Sequence, residues 1–129
     1  MEGLESEVHV SREVIKQVSP DQLDNIIFKG DFTIIDVRSL EGIENQGRIP
    51  GASVIPLEEL KKQIDERGAA SESLLNGKGP FLFCCTGGVM SYMAAIYAQE
   101  HGLQGVHNLE GGHAAWKKWK ATQMEGQLL

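Results

Sequence analysis

The run Phe81-Leu82-Phe83-Cys84-Cys85-Thr86-Gly87-Gly88-Val89-Met90-Ser91 delivers a cysteine from an apolar strand into a short glycine-containing loop, which opens into an alanine-rich segment. The thiolate, and not the thiol, is the nucleophilic form of cysteine. A tight loop running into a helix start supplies what an anion on sulfur needs. Loop amides and the unpaired N–H groups of the first helical turn converge on one point, with the positive end of the helix dipole behind them. Two cysteines compete for that point. Alternation along a strand turns Cys84 to the opposite face from Cys85. Cys85 is also the last residue before the loop, so it is the candidate nucleophile, and Cys84 reads as a small buried hydrophobe.

The elements around this run follow from periodicity and punctuation. Val14 to Val18 alternates apolar and polar residues. Ser19-Pro20-Asp21-Gln22 then supplies an N-cap, an N1 proline and a Ser-x-x-Gln capping box, so a helix is expected from about Pro20 to Lys29, closed by Gly30. Phe32 to Val37 reads as a strand covered on both faces. Val54-Ile55 is a short strand, and Leu57 to Arg67 an amphipathic helix ended by Gly68. Asn76-Gly77-Lys78-Gly79-Pro80 is turn chemistry without phosphate-loop spacing. A helix over Ser91 to His101 ends at Gly102, a strand follows over Val106 to Leu109, and a last helix runs from about His113 to Lys120.

Strands alternating with helices in this way predict a single α/β domain, with a mostly parallel five-stranded sheet flanked by helices on both faces. Residues 13–120 form that domain, with an N-terminal extension over 1–12 and a loosely docked C-terminal tail over 121–129. In a parallel sheet the C-terminal ends of the strands share one rim. The loops after Val37, Ile55, Cys85 and Leu109 should therefore build the site.

Composition narrows the function classes. The 129 residues suit one domain, and 41% hydrophobic with 23% charged content is that of an ordinary globular protein. A net charge of −6 argues against a nucleic-acid footprint and against anionic lipid as a partner. No apolar run reaches the roughly 20 residues of a membrane helix. The start Met1-Glu2-Gly3-Leu4-Glu5 has no signal-peptide character, so a cytoplasmic location is expected. The only two cysteines are adjacent, which disfavours a structural disulfide. His9, His101 and His107 have no partners at metal spacing, so neither a metal site nor a cofactor is expected.

Three segments in order resemble the rhodanese-like sulfurtransferases. The first is the cysteine loop itself, with Gly88 three residues and Ser91 six residues after Cys85. Ile34-Ile35-Asp36-Val37-Arg38, then Glu41 and Gly47-Arg48-Ile49-Pro50-Gly51-Ala52, resemble the family's Asp-Val-Arg and Gly-His-Ile-Pro-Gly-Ala signature. Glu110-Gly111-Gly112-His113-Ala114-Ala115-Trp116 resembles its Gly-Gly-x-x-Ala-Trp turn. The resemblance spans about residues 13 to 119. It implies a sulfurtransferase that moves a sulfane sulfur through a persulfide on Cys85. The amides of Thr86, Gly87, Gly88, Val89, Met90 and Ser91 would cradle the charge. Asp36 and Arg38 would brace the neighbouring loop, with Glu41 as a partner of Arg38. The expected partners are a small-molecule or protein persulfide donor and a thiol acceptor, with a protein partner near the active-site rim as a further expectation.

Departures from the family pattern matter as well. Thr86 and Met90 occupy positions where the family often carries cations, so the loop has no side-chain positive charge, and weak use of thiosulfate is expected. Related cysteine phosphatases place an arginine where this chain has Ser91, which disfavours phosphatase chemistry. The loop also resembles that of rhodanese-like tRNA uridine hydroxylases, which carry further domains and an arginine where this chain has Met90. Arg48 replaces the motif's usual histidine, and His113 is the one histidine expected on the active rim, so both are further candidates. The alternative to an enzyme is a rhodanese-like protein-binding module whose loop no longer catalyses.

Overall fold

A computed structural model describes residues 15–66, 74–77 and 79–128. Five strands, β1 (Lys16–Val18), β2 (Thr33–Asp36), β3 (Ser53–Val54), β4 (Phe81–Cys84) and β5 (Val106–Leu109), form one parallel sheet in the order β1-β5-β4-β2-β3. Five helices connect or follow them: α1 (Leu23–Lys29), α2 (Leu40–Gln46), α3 (Leu57–Asp65), α4 (Val89–Glu100) and α5 (Gly112–Leu128). This is the expected α/β architecture, with β4 at the centre.

Burial follows from that position. Every residue of β4 is buried, as a strand covered on both faces requires. Phe81, Phe83 and Cys85 join Ile35 and Val37 in one core, packed against Leu60 and Ile64 of α3 and Ala94, Ala95 and Ala98 of α4. Leu82 and Cys84 face the other core, with Ile34, Leu109, Leu23 of α1 and Trp116 of α5. The two cysteines thus lie on opposite faces of the sheet. The alanines of α4 are fully buried and let its axis approach the sheet closely.

Local signals produced most boundaries. Gln22 Oε1 accepts from the Ser19 N–H at 3.0 Å, and the segment enters α1 through a 3-10 turn over Pro20–Gln22. Gly30 closes α1 with a φ of 69°, in the left-handed region that glycine tolerates. Helix α2 is absent from the sequence expectations, although its cap is readable: Ser39 Oγ accepts from Gly42 N at 3.1 Å and Gly47 ends it. Helix α5 continues well past Lys120, and residues 121–126 are exposed on it. Polarity over 121–129 suggests a loosely docked tail, whereas the chain continues the helix to Leu128. No proline or glycine interrupts the chain before Gly126, so the helix runs on into solvent. The extension over 1–12 and the expected end of α3 at Gly68 lie outside the described residues.

Strand β2 ends in a buried ion pair. Arg38 Nε donates to Asp36 Oδ1 at 2.9 Å and Nη2 to Oδ2 at 2.6 Å, and both residues are almost fully enclosed. The remaining guanidinium donors reach Gln46 Oε1 at 3.1 Å and the Gly47 carbonyl at 3.0 Å. These contacts tie the end of β2 to the end of α2. Glu41, expected as the partner of Arg38, is exposed in the first turn of α2 and takes no part. Geometry explains the difference, because Asp36 receives the fork bidentately at shorter reach. Arg38→Met should destabilise the protein by about 3–5 kcal/mol in urea unfolding, since it leaves Asp36 buried without its cation. Adding Asp36→Leu to that variant should recover a large part of the loss.

Candidate active site

Cys85 follows the last residue of β4 and is 2% exposed, at the C-terminal rim of the sheet. Its Sγ accepts hydrogen bonds from the amides of Gly88 and Ser91, each at 3.2 Å. Helix α4 begins at Val89, two residues earlier than its periodicity indicated, so these donors are its N-cap and first-turn amides. They have no carbonyl partner one turn back, and the sulfur satisfies them. The amides of Val89 and Met90 belong to the same turn. Two amide donors converging on one sulfur favour negative charge on it. Cys84 sits in the opposite environment: burial pushes its thiol up, and the Asp36 carboxylate adds to the effect. A thiol kept protonated in an apolar core is a poor nucleophile.

The loop is held from beneath by the turn between β5 and α5. The Cys85 carbonyl accepts from His113 N at 2.8 Å, and the Thr86 carbonyl from Ala114 N at 3.0 Å. This approach requires Gly112, whose φ is 67° and whose absent Cβ would stand 2.6 Å from the Cys85 carbonyl oxygen. Gly88, at a φ of 88°, is equally constrained, since a Cβ there would lie 2.8 Å from the Gly111 nitrogen. The Gly-Gly turn and the cysteine loop are thus two halves of one close contact. Thr86 Oγ1 donates to Gln46 Oε1 at 2.9 Å, linking the loop to α2 and, through the same oxygen, to Arg38.

The expected site residues divide by position. Cys85, Gly88 and Ser91 meet at the sulfur; Thr86, Gly87, Val89 and Met90 line the exposed mouth. Val89 is 74% exposed, Met90 38% and Met93 60%, so the mouth has an apolar flank. Asp36 and Arg38 lie beneath as a brace. Arg48 is exposed, with no polar partner among the described residues. His113 is buried, its ring edge-on to Trp116 at 5.7 Å between centroids and against the Gly47 backbone. Burial lowers its pKa, and the positive charges of Arg38 and Lys117 add to that. Among the described residues no cluster of His, Cys, Asp and Glu could hold a metal.

Two residues escaped the sequence reading. Gln46 accepts from both Arg38 and Thr86, the latter forty residues away in the chain. Asn108, fully buried in β5, accepts from Ser91 Oγ at 2.6 Å and donates to the Gly88 carbonyl at 3.0 Å. Its signal was a carboxamide in the middle of an apolar strand, since a buried polar group must find partners.

Comparison with known proteins agrees with this geometry. The Rhodanese-like domain model matches residues 19–118. Human thiosulfate:glutathione sulfurtransferase is 31% identical over 105 residues, covering 77% of this chain and 90% of that protein. The human single-domain sulfurtransferase TSTD1 superposes with a TM-score of 0.64 at 30% identity, over 79% of this chain and 95% of that one. A Rhodopseudomonas palustris protein of unknown function, described as a possible tyrosine phosphatase, reaches a TM-score of 0.77 at 29% identity, covering 87% and 86% of the two chains. With a family match across most of its length, and the sulfur-centred loop, Gly-Gly turn and Asp-Val-Arg brace all in place, this chain belongs to the rhodanese-like domain family.

Proposed function

We propose that this protein is a sulfurtransferase that carries sulfane sulfur as a persulfide on Cys85 and favours donors of low charge over thiosulfate. The observation that carries the reading is the sulfur of Cys85 held by two backbone N–H donors, in a loop with no side-chain cation. In the first step the Cys85 thiolate attacks the outer sulfur of a donor persulfide. The sulfur–sulfur bond of the donor breaks and its inner sulfur leaves as a thiolate. An acceptor thiolate then attacks the outer sulfur on Cys85, which regenerates the Cys85 thiolate and leaves the acceptor as a persulfide. The cradle amides stabilise the negative charge that moves between these sulfurs.

The missing cations argue for the donor class. Thiosulfate is a dianion, and each charge-assisted hydrogen bond it loses is worth about 1.5–3 kcal/mol. Arg38 does not replace them, because its donors are committed to Asp36, Gln46 and Gly47. The exposed apolar flank of Val89, Met90 and Met93 supports a donor or acceptor whose thiol is borne on an apolar molecule, small or protein. Phosphatase chemistry is disfavoured, since Ser91, where the phosphatases carry their arginine, is buried with its hydroxyl turned to Asn108.

His113 has a packing role in this scheme and is held neutral. Its lowered pKa means that the unfolded chain binds a proton more readily than the folded one. Stability contributed by this group is thus intact above its unfolded value of about 6.5 and declines as pH falls below it. His113→Phe should flatten the dependence of the urea midpoint on pH between about 7.5 and 5.5, and an unchanged slope would assign that dependence elsewhere.

Intact mass after incubation with persulfide donors should show one added sulfur on the wild type and on Cys84→Ala, and none on Cys85→Ala. The absence of an adduct with every donor would favour the binding-module alternative. Met90→Arg should raise kcat/KM for thiosulfate by about tenfold, the equivalent of one restored charge-assisted bond near the lower end of that range.

A further inference from the structure

Asn108 lies in β5, outside the cysteine loop, yet its carboxamide touches the loop at two points. The Gly88 carbonyl can only accept, so the nitrogen Nδ2 faces it, at 3.0 Å. That orientation leaves Oδ1 for Ser91, whose hydroxyl must therefore be the donor, at 2.6 Å. Nδ2 also donates to Gln17 Oε1 on β1 at 3.0 Å, which fixes the carboxamide plane from the far side. Gly88 and Ser91 are the two residues whose amides donate to Cys85 Sγ. Both Asn108 and Ser91 are fully buried, so water does not compete for these bonds.

We propose that Asn108 is a positioning residue for sulfur transfer: by holding the Gly88 carbonyl and the Ser91 hydroxyl at once, it fixes the spacing of the two amides that converge on Cys85 Sγ. The physical reason is that parallel N–H dipoles aimed at one point repel each other when no anion is present. Bonds on the opposite side of the same residues hold them there before charge develops, which is electrostatic preorganisation. Val89 and Met90, between these two residues, are exposed, so the buried bonds to Asn108 hold the turn from its sheet side.

This inference rests on the reading of Cys85 as the sulfur carrier, but its test reads thiol reactivity and needs no sulfur donor. In the full chain carrying Cys84→Ala, so that a single thiol reports, the rate of alkylation by iodoacetamide is measured across pH. Asn108→Leu should move the midpoint of that profile upward by about one pH unit. Ser91→Ala, which keeps the amide and removes only the hydroxyl, should move it in the same direction by less. The pair together should shift it no further than Asn108→Leu alone. If Asn108→Leu lowers the melting temperature while the midpoint stays in place, Asn108 is a structural residue and the proposal fails. Should Asn108→Leu not fold, an unmoved midpoint in Ser91→Ala overturns the proposal equally. Failure to find a persulfide on Cys85 would sink the sulfurtransferase reading and leave the alkylation result standing.

Discussion

The structure depends on bringing the backbone N–H groups of Gly88 and Ser91 onto one sulfur atom. Amides that converge without an anion between them are electrostatically unfavourable, so the chain must be held in that shape by contacts made elsewhere. Those contacts come from three directions. The turn into α5 takes the carbonyls of Cys85 and Thr86, α2 takes the Thr86 hydroxyl, and β5 takes Gly88 and Ser91 through Asn108. The first is the β5–α5 turn, the second the last residue of α2 and the third a residue within β5, so the loop is held by separate parts of the fold.

This explains why two glycines sit where they do. Gly88 and Gly112 face each other's connections at distances where a Cβ would collide with backbone, so the cysteine loop and the β5–α5 turn must interlock. The buried Asp36–Arg38 pair does similar work one strand away. It fixes the end of β2 and, through Gln46, the hydroxyl of Thr86. A buried pair of this kind is weak evidence of net stability, because desolvation offsets much of its attraction. Its value here lies in fixing geometry beside the loop.

Much of this was legible in the sequence because the relevant signals are local. Apolar continuity marked β4 as internal, alternation separated Cys84 from Cys85, and the glycines with the alanine-rich helix marked the loop. What was not legible depends on partners distant in the chain. Arg38 was expected to meet Glu41, three residues on, yet its fork closes on Asp36 and on Gln46 at the far end of α2. Asn108 gave only the bare signal of a polar residue in an apolar strand, and its partners are seventeen and ninety-one residues away. The length of α5 was missed for another reason. Polar composition alone does not end a helix, which stops at a breaker or where its ends are capped, and neither intervenes at Lys120.

The remaining question is why a cradle without side-chain cations should serve sulfur at all. Backbone dipoles are partial charges, and a helix N-terminus amounts to about half an elementary charge. That is well matched to a single negative charge spread over two sulfurs, and poorly matched to the two charges of thiosulfate or the charge of a phosphoryl group. On the proposed function, a donor that arrives as a monoanion or a neutral persulfide would need little more than the amides to be held. The loop of this chain is thus consistent at each level. Its backbone is fixed tightly from behind, its mouth carries apolar side chains in Val89 and Met90, and the guanidinium of Arg38 is turned inward to brace β2. On the proposed function, selectivity would arise from what the loop leaves out, because an absent cation penalises a dianion far more than a monoanion.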